Sequence, residues 1–478
     1  MKEAISARRV RELVGELPAG PAYSGLADRL TLLIGDRRIP LNVRLPSERA
    51  LAAALGLSRT TVTRAYDTLR DNGYAHAAQG SGTFTAVPGG HERAHDRVLV
   101  AGGAGDDWID LGCAADSAPA EVMAAYAAAL ADLPAYLGRH GYFPSGLPVL
   151  QEAIAAGYAA RGLPTDPGQI VITPGALTAA GVVVRALARH PGRVLLESPT
   201  YPNASEMLRA SGLQLHECPL DGNGWDIAGI ADTLARVRPD FVYLIPDFQN
   251  PTGAVMPAAQ RRQLAQALRS HGTRAIVDET HHALALDGQA MPPPFAVFDP
   301  EAVTLGSMSK THWGGLRIGW IRAPRTLVGT LVQARMSLDL GVPVVEQLAA
   351  AHLLRLGPVP PRQIERLRTQ RDALIGLVKT HLPSWRFNPP AGGLTLWCEL
   401  PHRGAAALAA AVAASRVALT PGPVFSPGGG LDTFVRLPWT RPEAELRDAV
   451  ERIAAAWHRL EADGQQTGVS RTRARAVF

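Results

Sequence analysis

The stretch LPSERALAAALGLSRTTVTRAYDTLRDNGY, residues 45–74, predicts two short helices joined by a tight turn. Ser47 and Ser58 are favourable N-caps, because a serine oxygen accepts a hydrogen bond from the free N–H groups of the first helical turn. Gly56 and Gly73 stand directly after the apolar periodicity of each helix, where helices commonly end. This stretch therefore predicts a helix-turn-helix.

The flanking residues extend this prediction to a winged domain. Apolar residues recur at helical spacing over residues 23–35, which predicts one more helix before the pair. After the pair, residues 74–85 predict two short strands around the turn QGSG, which form a hairpin or wing. We assign residues 1–86 to a winged helix-turn-helix domain.

The second helix of the pair predicts contact with nucleic acid. Its outer face carries small hydroxyls and arginines, which suit phosphate oxygens and base edges in a major groove. Residues 1–86 hold 12 basic and 8 acidic side chains and the whole chain holds 48 and 43, so the positive excess is concentrated here. We expect double-stranded DNA as the partner; a helix-turn-helix used only for protein contact is the alternative. The predicted DNA-binding residues are Arg44, Ser47, Arg49, Ser58, Arg59, Thr60, Thr61, Thr63, Arg64, Gly80 and Ser81.

Length and composition set the remaining organisation. A chain of 478 residues is too long for one ordinary domain. Residues 87–107 are polar and rich in glycine and predict a linker, and residues 464–478 predict a disordered tail. The sequence has no run of apolar residues long enough to span a membrane. The three cysteines are far apart and form no metal-binding spacing, so we expect a reduced, cytoplasmic protein without a bound metal.

Beyond residue 108 the pattern changes to apolar runs separated by helical stretches. This alternation is typical of an α/β domain with a largely parallel sheet. In such sheets, ligands bind beyond the carboxyl ends of the strands. The apolar runs are IVIT (170–173), RVLLES (193–198), FVYLIP (241–246), RAIVDE (274–279) and AVTLGS (302–307).

Lys310 is the residue with the most distinctive chemistry. It lies in SMSKTHWGGLRIGW, residues 307–320, and is one of only three lysines among 48 basic residues. A primary amine forms a Schiff base with an aldehyde, whereas the guanidinium of arginine does not. A chance survivor of an arginine-rich composition is the alternative interpretation.

Other side chains with chemistry also follow the apolar runs. The turn at Gly175 and Ala176 opens a helix, whose free N–H groups suit a phosphate. Singly, each feature has an ordinary alternative: NPTG is a good turn, and an aspartate after a strand often caps a helix. Together, at successive strand ends, they predict one ligand site. The side chains concerned are Tyr201, Asn250, Asp278, Ser307 and Arg317.

Both parts of the chain resemble known families. The head resembles the GntR-type winged helix in LPSER, LGLSRTTV, AYDTLRDNGY and GSGTF. Residues 108–463 resemble a fold-type I pyridoxal phosphate (PLP) aminotransferase, an α/β fold with large and small subdomains. Head and body in this order are the layout of the MocR subfamily of GntR regulators. The resemblance covers nearly the whole chain.

The resemblance implies how PLP is held. Lys310 would form the internal aldimine, and Asp278 would pair with the pyridine nitrogen, which makes the ring an electron sink. Asn250 would hydrogen-bond the phenolic oxygen, and Tyr201 would stack on the ring. The residues implied for the cofactor phosphate are Ser307, Arg317 and the amides of Gly175 and Ala176.

Two further residues are implied to act with a partner or an effector. Tyr142, in GYFPSG, resembles a tyrosine that reaches the phosphate from the other subunit of a homodimer. Arg436, in VRLPW, resembles the arginine that pairs with a substrate or effector carboxylate, for which its forked donors are suited. An isolated arginine near a strand is also often structural.

Two departures from the aminotransferase pattern concern the cofactor's electronics and phosphate. His281 stands three residues after the aspartate, where these enzymes usually have a tyrosine that donates to the phenolic oxygen. An imidazole also donates, but it ordinarily titrates near neutral pH. Pro174 and Leu177 replace a serine and a glutamine of the phosphate turn, so side-chain donors are lost and backbone donors remain.

Three functions follow from these residues. The first is a regulator that binds PLP and senses an amino-containing effector through an aldimine at Lys310. The second is an active aminotransferase with an accessory DNA-binding head. The third is a regulator whose body is only a dimerisation scaffold. The motif around Lys310 disfavours the third, and the head disfavours the second.

Overall fold

The structure is a computed structural model, and part of the chain is described. The described residues are 4–15, 17, 20–35, 39, 43–78, 82–86, 108–189, 191–221 and 224–474. The predicted linker, residues 87–107, lies outside this set, as do Gly80 and Ser81 of the predicted wing.

The head has the predicted elements and one additional helix. Its elements are α1 (Ala7–Val14), α2 (Ala22–Gly35), α3 (Glu48–Leu55), α4 (Arg59–Asp71), β1 (Ala75–Ala78) and β2 (Gly82–Thr85). Both predicted caps are formed: the Ser47 hydroxyl accepts from the Ala50 amide (3.2 Å), and the Ser58 hydroxyl accepts from the Thr61 amide (3.0 Å). Helix α1 forms because Val10 buries its side chain in the core of the head.

The body is built on one mixed sheet that follows β3 (Ile109–Asp110) in the chain. The sheet strands are β4 (Ile170–Thr173), β5 (Gly192–Ser198), β6 (Leu213–Asp221), β7 (Gly224–Trp225), β8 (Phe241–Leu244), β9 (Arg274–Asp278), β10 (Val303–Ser307) and β11 (Gly319–Arg322). Their order is β4-β11-β10-β9-β8-β5-β6-β7. Strands β10, β9, β8, β5 and β6 pair in parallel, so their carboxyl ends lie at one edge. The five predicted runs are β4, β5, β8, β9 and β10.

Helices cover both faces of this sheet. They are α5 (Glu121–Asp132), α6 (Pro134–Leu137), α7 (Pro148–Ala160), α8 (Ala176–Leu187), α9 (Pro202–Ala210), α10 (Ile227–Val237), α11 (Ala258–His271), α12 (Arg325–Met336) and α13 (Val344–Arg355). Consecutive residues of one strand, such as Val242 and Tyr243, enter different apolar clusters, because side chains alternate along a strand. This two-sided burial explains why the strands read as continuous apolar runs.

A smaller subdomain follows the large one. Its elements are α14 (Pro361–His381), β12 (Thr395–Glu399), α15 (Ala405–Ala413), β13 (Val417–Ala418), β14 (Thr420–Pro421), β15 (Phe434–Pro438) and α16 (Glu443–Ala474). Its sheet has the order β12-β15-β14, and β13 pairs in parallel with β3. Helix α16 continues to Ala474, within the tail that we predicted to be disordered, because extending a packed helix requires no new nucleus. No helix in the described part of the chain is long and apolar enough to cross a membrane.

Candidate functional site

The predicted cofactor residues meet at the carboxyl edge of the large sheet. A cavity of about 400 Å³ opens there between the two subdomains. Of the residues predicted to bind the cofactor or the effector, Tyr142 does not line this cavity. Those that do are Gly175, Ala176, Tyr201, Asn250, Asp278, His281, Ser307, Lys310, Arg317 and Arg436.

Lys310 presents its amine inside this cavity. It follows β10 by three residues, and its Nζ donates to the carbonyl oxygen of Ala114 (2.7 Å). Burial lowers the pKa of Lys310, and the charge of Arg436 lowers it further, whereas Asp278 opposes the shift. A lower pKa increases the neutral fraction of the amine, which is the form that attacks an aldehyde.

Asp278 is held by two donors that fix its carboxylate. The amide of Thr280 donates to Oδ1 (2.9 Å), and the hydroxyl of Tyr243 donates to Oδ2 (2.8 Å). Burial and the charge of Asp278 both raise the pKa of Tyr243. Tyr243 was not predicted as a site residue, because it lies within an apolar strand. Strand register could have identified it: Tyr243 pairs with Ile276, two residues before Asp278, so both side chains lie on one face.

Tyr201 and Asn250 enter the cavity from neighbouring loops. Tyr201 precedes α9, and burial raises its pKa to about 12, with Asp278 adding to the shift. Its phenol therefore stays protonated at neutral pH. The amide oxygen of Asn250 accepts from Nη1 of Arg436 (3.4 Å). This contact joins the predicted cofactor residues to the predicted effector residue.

The predicted phosphate end lies at the start of α8. Gly175 has φ +105°, and a Cβ there would lie 2.8 Å from Nη2 of Arg317, so only glycine fits. The Gly175 amide donates to the carbonyl of Thr173 (2.8 Å), which differs from its predicted role as a phosphate donor. Ala176 is the first residue of α8, whose leading N–H groups have no acceptor within the helix. Arg317 donates to the Pro174 carbonyl (2.6 Å).

His281 and Arg436 contribute buried polar atoms without partners. Among the described residues, Nδ1 of His281 and Nε of Arg436 have no hydrogen-bond partner. Burial lowers the pKa of His281 to about 3, and the charges of Lys310 and Arg436 act in the same direction. The imidazole is therefore neutral throughout the pH range in which an unperturbed histidine changes its charge. Burial also lowers the pKa of Arg436 to about 10, so its guanidinium remains charged.

The buried residues His281 and His312 are expected to lower the free energy of unfolding in mild acid. Burial lowers their pKa values from 6.5 to about 3 and about 4. Below pH 6.5 the unfolded chain takes up these protons before the folded chain does, so the free energy of unfolding falls as the pH falls. Each histidine is expected to remove about 2 kcal/mol between pH 7 and 5, measured by urea unfolding.

Replacing His312, which does not line the cavity, by asparagine tests this account. The variant should lose less stability than the wild-type protein over the same pH interval. His271→Asn is the matched control, since His271 is exposed on α11. Equal acid sensitivity of the wild type and His312→Asn would show that the prediction is wrong.

A short segment of backbone crosses the cavity, and we call residues 112–114 the strap. Arg436 donates to the carbonyl of Gly112, as Lys310 does to that of Ala114. Cys113 lies between them and lines the cavity. The strap was not predicted from the sequence, because its hydrogen bonds are accepted by backbone carbonyls, which require no particular side chain.

Tyr142 does not reach the cavity of its own chain. It is 57% exposed and stacks on His140, with ring centroids 5.8 Å apart. Exposed apolar side chains also occur on neighbouring elements, including Leu137 and Leu340. Such a surface is suited to association with another protein surface.

The predicted DNA-binding residues divide into exposed groups and structural ones. Thr61, half-buried, completes the Ser58 cap, and Thr63 donates to the carboxylate of Glu48 (2.9 Å). The guanidinium of Arg64 lies 4.0 Å from the ring centre of Tyr23. The exposed side chains on this surface of the head are Arg44, Ser47, Arg49, Ser58, Arg59, Thr60 and Arg64.

The residues present fit PLP. The cavity contains an amine for the aldehyde, a carboxylate for the ring nitrogen, and an arginine with helix amides for the phosphate. Neutral His281 offers a polar atom without a partner beside this donor set. When bound, the cofactor supplies an electrophilic carbon and an electron sink.

The comparisons with known proteins concern both parts of the chain. Residues 111–453 match the family "aminotransferase class I and II", and residues 22–85 match "bacterial regulatory proteins, gntR family". The chain is 31% identical over 325 residues to 2-aminoadipate transaminase of Thermus thermophilus, covering 64% of this chain and 81% of that protein. It is 26% identical over 391 residues to the probable rhizopine catabolism regulatory protein MocR of Rhizobium meliloti, covering 76% and 78%.

A solved structure with the same body fold carries a pyridoxal derivative. It is LysN, the alpha-aminoadipate aminotransferase from Thermus thermophilus, complexed with N-(5'-phosphopyridoxyl)-L-leucine. The TM-score is 0.67 at 28% identity, over 74% of this chain and 93% of that one.

Fold and site together define a PLP-binding transcriptional regulator, in which a DNA-binding winged helix-turn-helix is fused to a fold-type I aminotransferase domain. The predicted fold class and cofactor are confirmed. The chain belongs to the MocR subfamily of GntR regulators, whose body is an aminotransferase class I and II domain.

Proposed function

We propose that this regulator senses an amino-containing metabolite through an aldimine between PLP and Lys310. The carrying observation is that the amine of Lys310, with its lowered pKa, shares one cavity with the buried guanidinium of Arg436. An effector amine could exchange with the lysine at the cofactor while its carboxylate meets the arginine. The leucine adduct in the LysN structure supports an amino acid or a related amine as the effector class.

The roles of the other site residues belong to the same proposal. Asp278 holds the ring nitrogen, Tyr201 stacks on the ring, and Asn250 with neutral His281 faces the phenolic oxygen. The amide of Ala176 and the side chains of Ser307 and Arg317 hold the phosphate. Gly175 contributes by leaving room for Arg317.

We infer a homodimer that binds a double-stranded DNA operator. A second copy would bring Tyr142 to the cofactor phosphate, in agreement with its exposure on its own chain. Effector binding would then change the relative populations of two dimer arrangements by its differential affinity for them. The proposed units are residues 1–86 for DNA, 87–107 as linker, 108–463 for PLP and 464–478 as tail.

An active aminotransferase with an accessory head is the second candidate. The complete set of Lys310, Asp278 and Asn250 in one cavity favours it. The exposed arginine and threonine side chains at the start of α4 favour regulation, since catalysis has no use for them.

The visible spectrum of the protein with PLP tests the proposal and separates the candidates. We expect a visible absorbance band that shifts when a suitable amine is added. Borohydride should abolish this band and leave the cofactor covalently attached to Lys310. Absence of this band with DNA binding intact would overturn the proposal. Repeated turnover of amino donors with a keto acid, without an effect of amines on DNA affinity, would favour the enzyme.

A further inference from the structure

Glu197 is a fully buried carboxylate that lies behind the cofactor cavity and does not line it. It is the penultimate residue of β5, four residues before Tyr201. Oε1 accepts from the indole Nε1 of Trp225 (2.7 Å) and from the amide of Ile245 (3.1 Å). Oε2 accepts from Nε2 of Gln249 (3.0 Å). Three donors, one from β7 and two from the loop after β8, therefore converge on one carboxylate.

Gln249 extends this contact to both loops of the site. It is fully buried and directly precedes Asn250. Its Nε2 also donates to the carbonyl of Pro199 (2.8 Å), in the loop that leads to Tyr201. Its Oε1 accepts from the amide (3.1 Å) and the hydroxyl (2.8 Å) of Thr252. One amide group thus joins the loop after β5 to the loop after β8.

We propose that Glu197 is a positioning residue of the cofactor site, which through Gln249 fixes Tyr201 and Asn250 relative to each other. The ring-stacking tyrosine and the asparagine at the phenolic oxygen must meet one rigid ligand at the same time. The hydrogen bonds of Glu197 and Gln249 hold the two loops in register before that ligand binds. This inference rests on the proposed PLP site.

The donor pattern requires a carboxylate at this position. In Glu197→Gln, the new oxygen can replace Oε1 toward Trp225 and Ile245, but the new NH₂ group then faces the NH₂ group of Gln249. Turning the Gln249 amide over would place its oxygen against the Pro199 carbonyl and its NH₂ against the Thr252 amide. No rotation of either amide satisfies all donors, so a buried donor loses its acceptor.

Burial opposes the charge of Glu197, and the three N–H donors favour it. Burial raises the pKa of Glu197 to about 7, while the bonds from Gln249, Trp225 and Ile245 lower it and Asp278 raises it. If a buried acid only fills the core, replacing it by an apolar side chain of similar size often causes no loss of stability. The three converging donors indicate that this carboxylate positions the two loops by hydrogen bonding.

Glu197→Gln tests the proposal through the bound cofactor. We expect about tenfold weaker PLP binding, measured by absorbance titration, because the two loops are no longer held in the binding arrangement before PLP binds. We also expect a weaker visible circular dichroism band, which reports the fixed orientation of the cofactor ring. Asp299→Asn is the matched control, because Asp299 is also a buried carboxylate but accepts from the amide of Glu301 rather than from the loops of the site. It should leave PLP affinity and dichroism unchanged.

Two further variants separate positioning from general destabilisation. The double variant E197Q/Q249E restores an N–H···O contact between the two positions and should recover part of the dichroism. Trp225→Phe removes one donor and keeps the carboxylate, so it gives a milder version of the effect if E197Q does not fold.

The outcomes are distinct from those that test the proposed function. A wild-type protein that binds no PLP would refute the proposed function itself. A wild-type protein that binds PLP, with unchanged affinity and dichroism in E197Q or Trp225→Phe, would overturn the positioning role. A fall in thermal midpoint that is equal in E197Q and Asp299→Asn, with dichroism unchanged, would do so too.

Discussion

Replacing Lys310 by alanine is expected to abolish the visible absorbance band, the attachment of PLP on borohydride reduction, and the response of DNA binding to the effector. The reason is chemical: Lys310 supplies the amine in the cavity, and arginine side chains cannot form a Schiff base. The variant should still fold, because the lost side chain donates a single hydrogen bond, to the Ala114 carbonyl. That carbonyl lies in a loop that is half-buried at the neighbouring residue, Cys113. The measurements are the visible spectrum and operator affinity with and without amine.

Lys379→Ala is the matched control for this experiment. Lys379 is the other lysine of the body and is exposed on α14. Its removal should leave the band and the effector response unchanged. A full effector response in the Lys310→Ala protein would contradict sensing at this lysine, even if the band were lost.

Replacing Arg59 by alanine is expected to weaken operator binding by about 1–3 kcal/mol, which is roughly 5-fold to 150-fold. Arg59 is the first residue of α4 and is 74% exposed, so its guanidinium is available to DNA. Its ion pair with Glu48 is 3.4 Å long and exposed, and such pairs contribute little to stability. The loss should therefore appear in DNA affinity rather than in the folding of the head.

Salt titration of operator affinity distinguishes the two ways in which Arg59 can contact DNA. Loss of a phosphate contact should lower the salt slope by about 1 and weaken all sequences alike. Loss of a base contact should relax specificity at one position. Arg8→Ala, on the exposed face of α1 with its own pairing to Glu12, removes the same charge from the same domain. Equal losses in both variants would argue against α4 as the reading helix.

The sequence predicted those parts of the fold that depend on local patterns. The caps of α3 and α4 are visible as serines before apolar periodicity, and the structure forms both. The strands of the site are buried on both faces, so they stand out as apolar runs. The convergence of Asn250, Asp278 and Lys310 followed because parallel strands end at one edge of the sheet.

What the sequence did not predict depends on three-dimensional surroundings. The titration of His281 is suppressed by burial and by two nearby cations, and neither is adjacent to it in sequence. The Gly175 amide is already bonded to Thr173, which only the conformation of the turn reveals. The contact of Glu197 with Gln249 joins two loops that are distant along the chain, and each residue alone resembles an ordinary polar neighbour of a motif.

Lys310 and Arg436 already donate hydrogen bonds to the strap, so a ligand that binds to either residue must replace one of these bonds. A group that reacts at Lys310 displaces the Ala114 carbonyl, and a carboxylate on Arg436 displaces that of Gly112. Because these two acceptors belong to one short segment, we expect release of one to lower the cost of releasing the other. Thermodynamic reciprocity then requires that occupation of the lysine strengthens carboxylate binding as much as the carboxylate strengthens occupation of the lysine. Under the proposed function, we therefore expect the cofactor and the effector to bind cooperatively through the strap.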